Sequence, residues 1–199
     1  MRIVEDVFKS LLLLNVRQQG LFACLIVEKM LPNFVYFSID EPENINLVKG
    51  ILDDCLDSQV LHLDGIKMNL PLLKEQVEAL TPNLDYEEGS ASYAFDFCVA
   101  LSALLSFFEK YQSTEIEIIL EQAIATVDMF VQEYFNMDPS DADLDTKILN
   151  TNYMANEIHR QHILFEFVKP IIIPTVQEVT FLREKNNLFQ NMIDLEKIY

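Results

Sequence analysis

Glycine is scarce in this chain. Four occur among 199 residues, at Gly20, Gly50, Gly65 and Gly89. Tight hairpins and loops that cradle phosphate need backbone at positive φ, which glycine adopts most readily, so four scattered glycines argue against both. Cysteine is equally thin. Cys24, Cys55 and Cys98 are odd in number, far apart and set in apolar surroundings, a pattern of reduced, buried thiols and not of a disulfide framework. Unbroken apolar runs stay well short of the ~18 residues of a bilayer-spanning helix, and no cationic stretch with a cleavage site opens the chain. These readings lead to a soluble cytoplasmic protein without membrane contact.

Positive charge is the next shortage. Lys and Arg number 14 against 32 Asp and Glu, for a net charge of −18. Such a surface repels phosphate backbones, so nucleic acid is not expected as a partner. The acidity serves solubility and self-repulsion, and its sharper reading is a docking surface for a basic protein partner. Familiar catalytic signatures are missing as well. There is no Gly-x-Gly-x-x-Gly, Gly-x-x-x-x-Gly-Lys, Gly-x-Ser-x-Gly, His-Glu-x-x-His or Cys-x-x-Cys, and three histidines leave few general acid–base options.

What the chain has in abundance is core material. Half the residues are hydrophobic, with 14 Phe and 7 Tyr. A single domain of this length can bury roughly 70% of its unfolded surface without a disulfide or metal staple. The stretch Ser90–Tyr111 organises the rest. Wound as a helix, its polar residues Ser92, Asp96, Ser102, Ser106, Glu109 and Lys110 fall in one arc of roughly 140° and all else is apolar. A helix so greasy must be covered on several sides, which predicts a single all-α domain over 1–199, a bundle of about eight helices around it.

Seven prolines are expected between helices or in their first turns. Helices are predicted over residues 3–14, then around Leu21 to Leu25 with an end at Met30-Leu31-Pro32-Asn33, then over 41–59, capped by Asp40 with Glu43 in a capping box. Residues 61–68 read as loop with brief extended pairing at most. Further helices follow over 69–80, over the central stretch capped by Ser90, and from a capping box at Thr114 and Glu117. Residues 138–145 break the chain before one long helix to Lys169. Thr175 and Glu178 box the last helix, which ends near Asn187. Beyond it, Leu188, Met192, Leu195 and Tyr199 recur as a helical apolar stripe. That stripe folds back on the core in one reading; in the other, 188–199 is a docking tail for a second subunit or partner.

Three constellations bear on chemistry. Asp141, Asp143 and Asp145 have the spacing of a calcium loop, but Thr146 replaces its glycine and Asn152 its bidentate glutamate, so they read as carboxylates at a helix N-terminus. His159, His162 and Glu166 share one helical flank and make half of a transition-metal site. Asp96, in mid-helix, has a raised pKa if buried without partners; the plainer reading has it on the polar arc, reaching water or a neighbouring helix. No catalytic, cofactor-binding or metal-ligating residue is assigned.

Several segments resemble a known family. Leu21-Phe22-Ala23-Cys24-Leu25-Ile26-Val27-Glu28-Lys29-Met30-Leu31-Pro32-Asn33-Phe34, Ile51-Leu52-Asp53 and Asp96-Phe97-Cys98-Val99-Ala100-Leu101-Ser102 resemble, in order and spacing, the YjaG-like bacterial proteins, the domain of unknown function family 416. The resemblance implies an all-α fold and a bacterial cytoplasmic protein, and implies no known activity. Read on their own, the small side chains of Ala23, Cys24, Cys98, Ala100 and Ser102 let two helices approach closely. The function expected is non-enzymatic: protein–protein contact with a partner protein or with a second copy as a homo-oligomer. The alternative is a helical-bundle enzyme or small-ligand or metal binder using Asp96 or the His159/His162/Glu166 flank.

Overall fold

The computed structural model describes residues 2–60, 68–86 and 89–199, with backbone alone at 2–6. The expected loop with extended pairing over 61–68 lies, but for Met68, outside the described residues. Among the described residues there are nine α-helices and no strand: α1 (Arg2–Leu11), α2 (Val16–Phe37), α3 (Pro42–Val60), α4 (Leu70–Leu80), α5 (Ala91–Lys110), α6 (Ser113–Tyr134), α7 (Leu144–Leu149), α8 (Asn152–Val168) and α9 (Val176–Leu188), followed by a 3₁₀ turn at Leu195–Lys197.

The greasy mid-sequence helix is α5, and it is covered as its composition demands. It packs against α2, α4 and α6, burying Phe97, Leu101, Leu104, Phe107 and their neighbours. Its polar arc stays partly exposed along Ser92, Asp96, Ser102 and Ser106. It ends where Tyr111 turns left-handed at φ 53° and its N–H reaches the Phe107 carbonyl.

A second interior rod, α2, shares that central place. Residues 18–27 are buried without a break, and α2 touches α3, α5, α6, α8 and α9. Its start is well specified. The Asn15 side chain accepts the Gln18 N–H while the Gln18 side chain accepts the Asn15 N–H, a reciprocal capping box that satisfies two otherwise orphaned donors.

By length and hydropathy, α2 and α5 are each long enough to cross a membrane, although no unbroken apolar run suggested it; 67% of each such window is buried inside the fold.

Several expected boundaries are corrected. Pro32 does not end α2, which runs on to Phe37. An internal proline forfeits one ladder bond and costs about 3 kcal/mol. The continuation offsets that by burying Phe34, its ring lying 5.3 Å from that of Phe97 on α5. Glu41, not Asp40, occupies the position before α3, with the Asn44 and Ile45 N–H groups on its carbonyl. Ser90 precedes α5 without a side-chain cap bond, and α6 starts at Ser113, two residues too early for a box at Thr114 and Glu117.

The long helix ending near Lys169 is two. The Thr151 hydroxyl accepts the Met154 N–H and starts α8 afresh after the short α7. The capping box at Thr175 and Glu178 is present as expected. The tail stripe is not helical: past Leu188 the chain is irregular until the 3₁₀ turn. It folds back on the core, burying Met192, Ile193 and Leu195 and leaving Leu188 and Tyr199 exposed.

Candidate functional site

Asp96 faces α6 from the polar arc of α5. The Thr126 hydroxyl donates to its carboxylate at 2.9 Å. Burial pushes the carboxyl up to about 6, against the pull of that hydrogen bond. One turn earlier the Tyr93 phenol donates to Glu133 at 2.8 Å, and Tyr199 donates to the same oxygen at 3.2 Å. Asp96 lines neither of the two clefts described below. It reaches a partner helix, which is a contact that aligns α5 and α6 and not a general base aimed at solvent.

His159, His162 and Glu166 are exposed on α8. Glu166 lies 3.6 Å from Lys169. Among the described residues no three His, Cys, Asp or Glu side chains gather as a metal ion requires. The aspartates before α7 form their own solvated turns: Asp138 accepts the Ser140 N–H and hydroxyl, and Asp141 accepts the Asp143 N–H and pairs with Lys147. The three thiols are buried, and burial raises all of them, Cys98 to about 12. Thiols so held are poor nucleophiles.

Sequence reasoning passed over the polar interior. On α8, Met154, Glu157, Gln161, Leu164 and Val168 recur at core spacing and all are buried. Two of those core positions are polar, and Arg160 beside them is just 2% exposed. Its guanidinium grips Glu157 through two bonds, Nε to Oε2 at 2.7 Å and Nη2 to Oε1 at 2.5 Å. Gln161 donates to Glu157 as well, at 2.8 Å. The third Arg160 nitrogen donates to the side-chain oxygen of Asn186 on α9 at 3.1 Å. The signal was available as polar residues standing at apolar-stripe positions.

Lys29 on α2 completes the cluster. Its ammonium donates to the carbonyls of Asn186 and Phe189 at 3.1 and 2.7 Å, satisfying acceptors that the end of α9 leaves without helix partners. Burial, seconded by the charge of Arg160, lowers Lys29 to about 8. At the residue before Lys29 on α2, Arg183 of α9 bridges Glu28 at 2.6 Å and Asp53 of α3 at 2.9 Å.

Above this cluster opens a cleft of about 1140 Å³. One wall is the first half of α8, with Asn152, Tyr153, Asn156 and His159; the other is the chain from Asn187 to Asp194; Glu157 and Arg160 lie in the floor. Lys197 closes one end, 3.2 Å from the Tyr153 hydroxyl and 3.3 Å from Asp194. Of the sequence-derived candidates only His159 belongs to this cleft. Glu157 is spent on Arg160 and Gln161, so no free carboxylate meets the imidazole there. A shallower cleft of about 520 Å³ lies beside the end of α6, around Met129, Glu133 and Met137.

An apolar surface lies elsewhere. Asn15 donates to the Ile172 carbonyl at 3.2 Å and Gln18 to that of Lys169 at 2.6 Å. These bonds bring the α1–α2 turn against the α8–α9 loop. Leu12, Leu13, Val16, Ile172, Ile173 and Val176 stand exposed at that end, Leu13 at 86% and Ile172 at 68%. Arg17 and Lys169 flank them.

Comparison with known proteins bears on the whole chain. The family model described as "Protein of unknown function (DUF416)" matches residues 6–189. The chain is similar to a DUF416 family protein from Shewanella baltica OS155 known from a crystal structure, at 26% identity and a TM-score of 0.80, covering 91% of this chain and 93% of that one. No curated protein matches.

Proposed function

The chain belongs to the DUF416 family of proteins of unknown function, and from that premise we propose that it acts in the bacterial cytoplasm without catalysis, through contact between protein surfaces, a second copy of itself foremost. The observation that carries this reading is the exposed apolar end formed by Leu12, Leu13, Val16, Ile172, Ile173 and Val176. Contiguous apolar surface of this kind marks association sites in soluble proteins. Its place also suits association of like with like. A chain of net charge −18 repels its own copies, and at this end Arg17 and Lys169, the latter 3.6 Å from Glu166, offset part of that repulsion. The buried, unpaired thiols suit a reducing compartment.

Sedimentation velocity tests it. The wild type sediments as a dimer or higher assembly, and the double variant Leu13→Asp/Ile172→Asp, equally helical by circular dichroism, as a monomer. A wild type monomeric throughout the accessible concentration range would overturn the reading. The alternative, an enzyme or ligand binder built on Asp96 or the His159/His162/Glu166 flank, has only His159 at the rim of a cleft in its favour.

A further inference from the structure

The cleft over Glu157 and Arg160 is lined by five carboxamides, Asn152, Asn156, Asn187, Gln190 and Asn191. None of these side chains is hydrogen-bonded to another of the described residues. The wall opposite α8 is held in place. Its chain bends at Phe189 and again at Met192. The Lys29 ammonium fixes the first bend through the Phe189 carbonyl at 2.7 Å, and Met192 and Ile193 are buried at the second. Gln190 and Asn191 stand exposed between these two anchors, and Asn152 and Asn156 stand exposed on α8. Polar groups on walls so fixed lose little freedom when a ligand takes them up.

The fixed charges of the lining are matched. Arg160 spends three nitrogens on Glu157 and Asn186, and Glu157 also accepts from Gln161. Lys197 pairs with Asp194 at 3.3 Å and donates to the Tyr153 hydroxyl. A cation therefore finds no free carboxylate here. An anion would have to take Arg160 or Lys197 from its partner, against the repulsion of a chain of net charge −18. A neutral ligand leaves both pairs intact.

What the lining offers is hydrogen bonding in both directions. Each free carboxamide presents one acceptor and two donors side by side. A hydroxyl both donates and accepts, so two hydroxyls on neighbouring carbons can span one carboxamide. Aromatic surface runs on from the cleft. Tyr153 in the α8 wall meets Tyr134 edge to face at 5.9 Å, and Tyr134 meets Phe135 at 4.8 Å. Tyr134 and Phe135 are exposed, at 41% and 50%. Sugar rings carry C–H groups on their faces and hydroxyls at their edges, and so suit both kinds of surface at once. At about 1140 Å³ the cleft exceeds the ~300–1,000 Å³ of common small-ligand pockets, which leaves room for more than one ring.

We infer that this cleft binds a neutral oligosaccharide, its hydroxyls on the carboxamides of Asn152, Asn156, Gln190 and Asn191 and its outer ring toward Tyr134 and Phe135.

The probes are the neutral trisaccharides maltotriose, cellotriose, mannotriose, xylotriose and the N-acetylglucosamine trimer. Each is titrated into the isotope-labelled full chain and followed by NMR at the side-chain NH2 resonances. The cationic glucosamine trimer, the anionic trigalacturonate and adenosine serve as comparators. At least one neutral trisaccharide binds saturably and shifts the NH2 signals of Asn152, Asn156, Gln190 and Asn191. Its affinity falls about tenfold with Asn152→Ala/Asn156→Ala, the worth of two hydrogen bonds. Both asparagines are exposed, so an unchanged thermal melt accompanies the variant, and the NH2 signals report on the wild type without any variant. The charged trimers and adenosine bind at least about tenfold more weakly. Absence of saturable binding by all the neutral trisaccharides overturns the inference. So does binding that leaves either those signals or the double variant's affinity unchanged. A charged trimer or adenosine that binds as tightly as the best neutral sugar overturns it too. Because this cleft is apart from the apolar end, Leu13→Asp/Ile172→Asp leaves sugar binding intact.

Discussion

The guanidinium of Arg160 and the carboxamide of Asn186 meet 3.1 Å apart in the interior, between α8 and α9. Asn186 gives its own N–H to the Leu25 carbonyl of α2 at 2.8 Å, and is fully buried. One side chain thus joins three helices. Each of its bonds replaces one that water would otherwise supply, so losing it strands polar groups in the core.

Asn186→Ala removes two buried hydrogen bonds, leaving one Arg160 nitrogen without a partner and the Leu25 carbonyl with only its bond within α2. The expected loss is about 2–4 kcal/mol of unfolding free energy, read from urea denaturation. A loss under about 1 kcal/mol would mean that water enters and rescues both groups.

Arg160→Met leaves the Glu157 carboxylate buried without its main partner, which costs about 3–5 kcal/mol. The double variant Glu157→Leu/Arg160→Met removes both charges and recovers much of that loss, since a well-packed apolar pair is often as stable as the ion pair it replaces. Thermal melts of the three proteins decide it. A double variant less stable than Arg160→Met would show that the pair is worth more than its desolvation costs.

Asp96 gives the fold a pH dependence. Burial holds its carboxyl at about 6 against an ordinary 3.8. Between those values the folded chain keeps a proton that the unfolded chain has released, so this group's contribution to stability falls as pH rises through the window. Asp96→Asn keeps an oxygen for the Thr126 hydroxyl and carries no charge. It gains about 1–2 kcal/mol over wild type at neutral pH and nothing below about pH 4. Urea midpoints at both pH values check this; equal gains at both would remove Asp96 as the cause.

Two helical glycines differ in what surrounds them. At Gly50 a Cβ would meet nothing within 4 Å, whereas at Gly20 it would come within 2.7 Å of the Gln59 side-chain oxygen and 3.2 Å of the Phe108 ring. Gly50→Ala therefore gains about 0.5–1 kcal/mol from helix propensity. Gly20→Ala gains nothing, because Gln59 is tied to the Cys55 carbonyl at 3.1 Å and must move. Melting temperatures that rise equally for both would show that α2 and α3 have room to part.

Much of the fold was legible in local pattern. The apolar excess of α5, the 3.6-residue periodicity of α3 and α6 and the paired Thr175 and Glu178 are short-range signals that need no tertiary context. Pro32 was misleading because its cost is local while the compensation, Phe34 against Phe97, comes from another helix. The split at Thr151 escaped notice because the apolar spacing runs through it. The tail's stripe has helical spacing, yet Lys29 seizes the Phe189 carbonyl and the chain leaves the helix there. The chemistry-bearing candidates fared according to distance. His159 came to a cleft and Asp96 to a neighbouring helix, and neither destination follows from spacing along one helix.

By itself the sequence determined the class of structure and the sign of its surface: too little glycine for hairpins, too much apolar helix to leave uncovered, and a net charge of −18. Those are sums over residues, so order along the chain suffices to read them. Tertiary structure alone decided where the polar interior, the carboxamide cleft and the apolar end would lie. Arg160 with Asn186, Lys29 with Phe189 and Asn15 with Ile172 meet across 26, 160 and 157 positions, and such encounters depend on how whole helices pack, which no local rule of spacing contains.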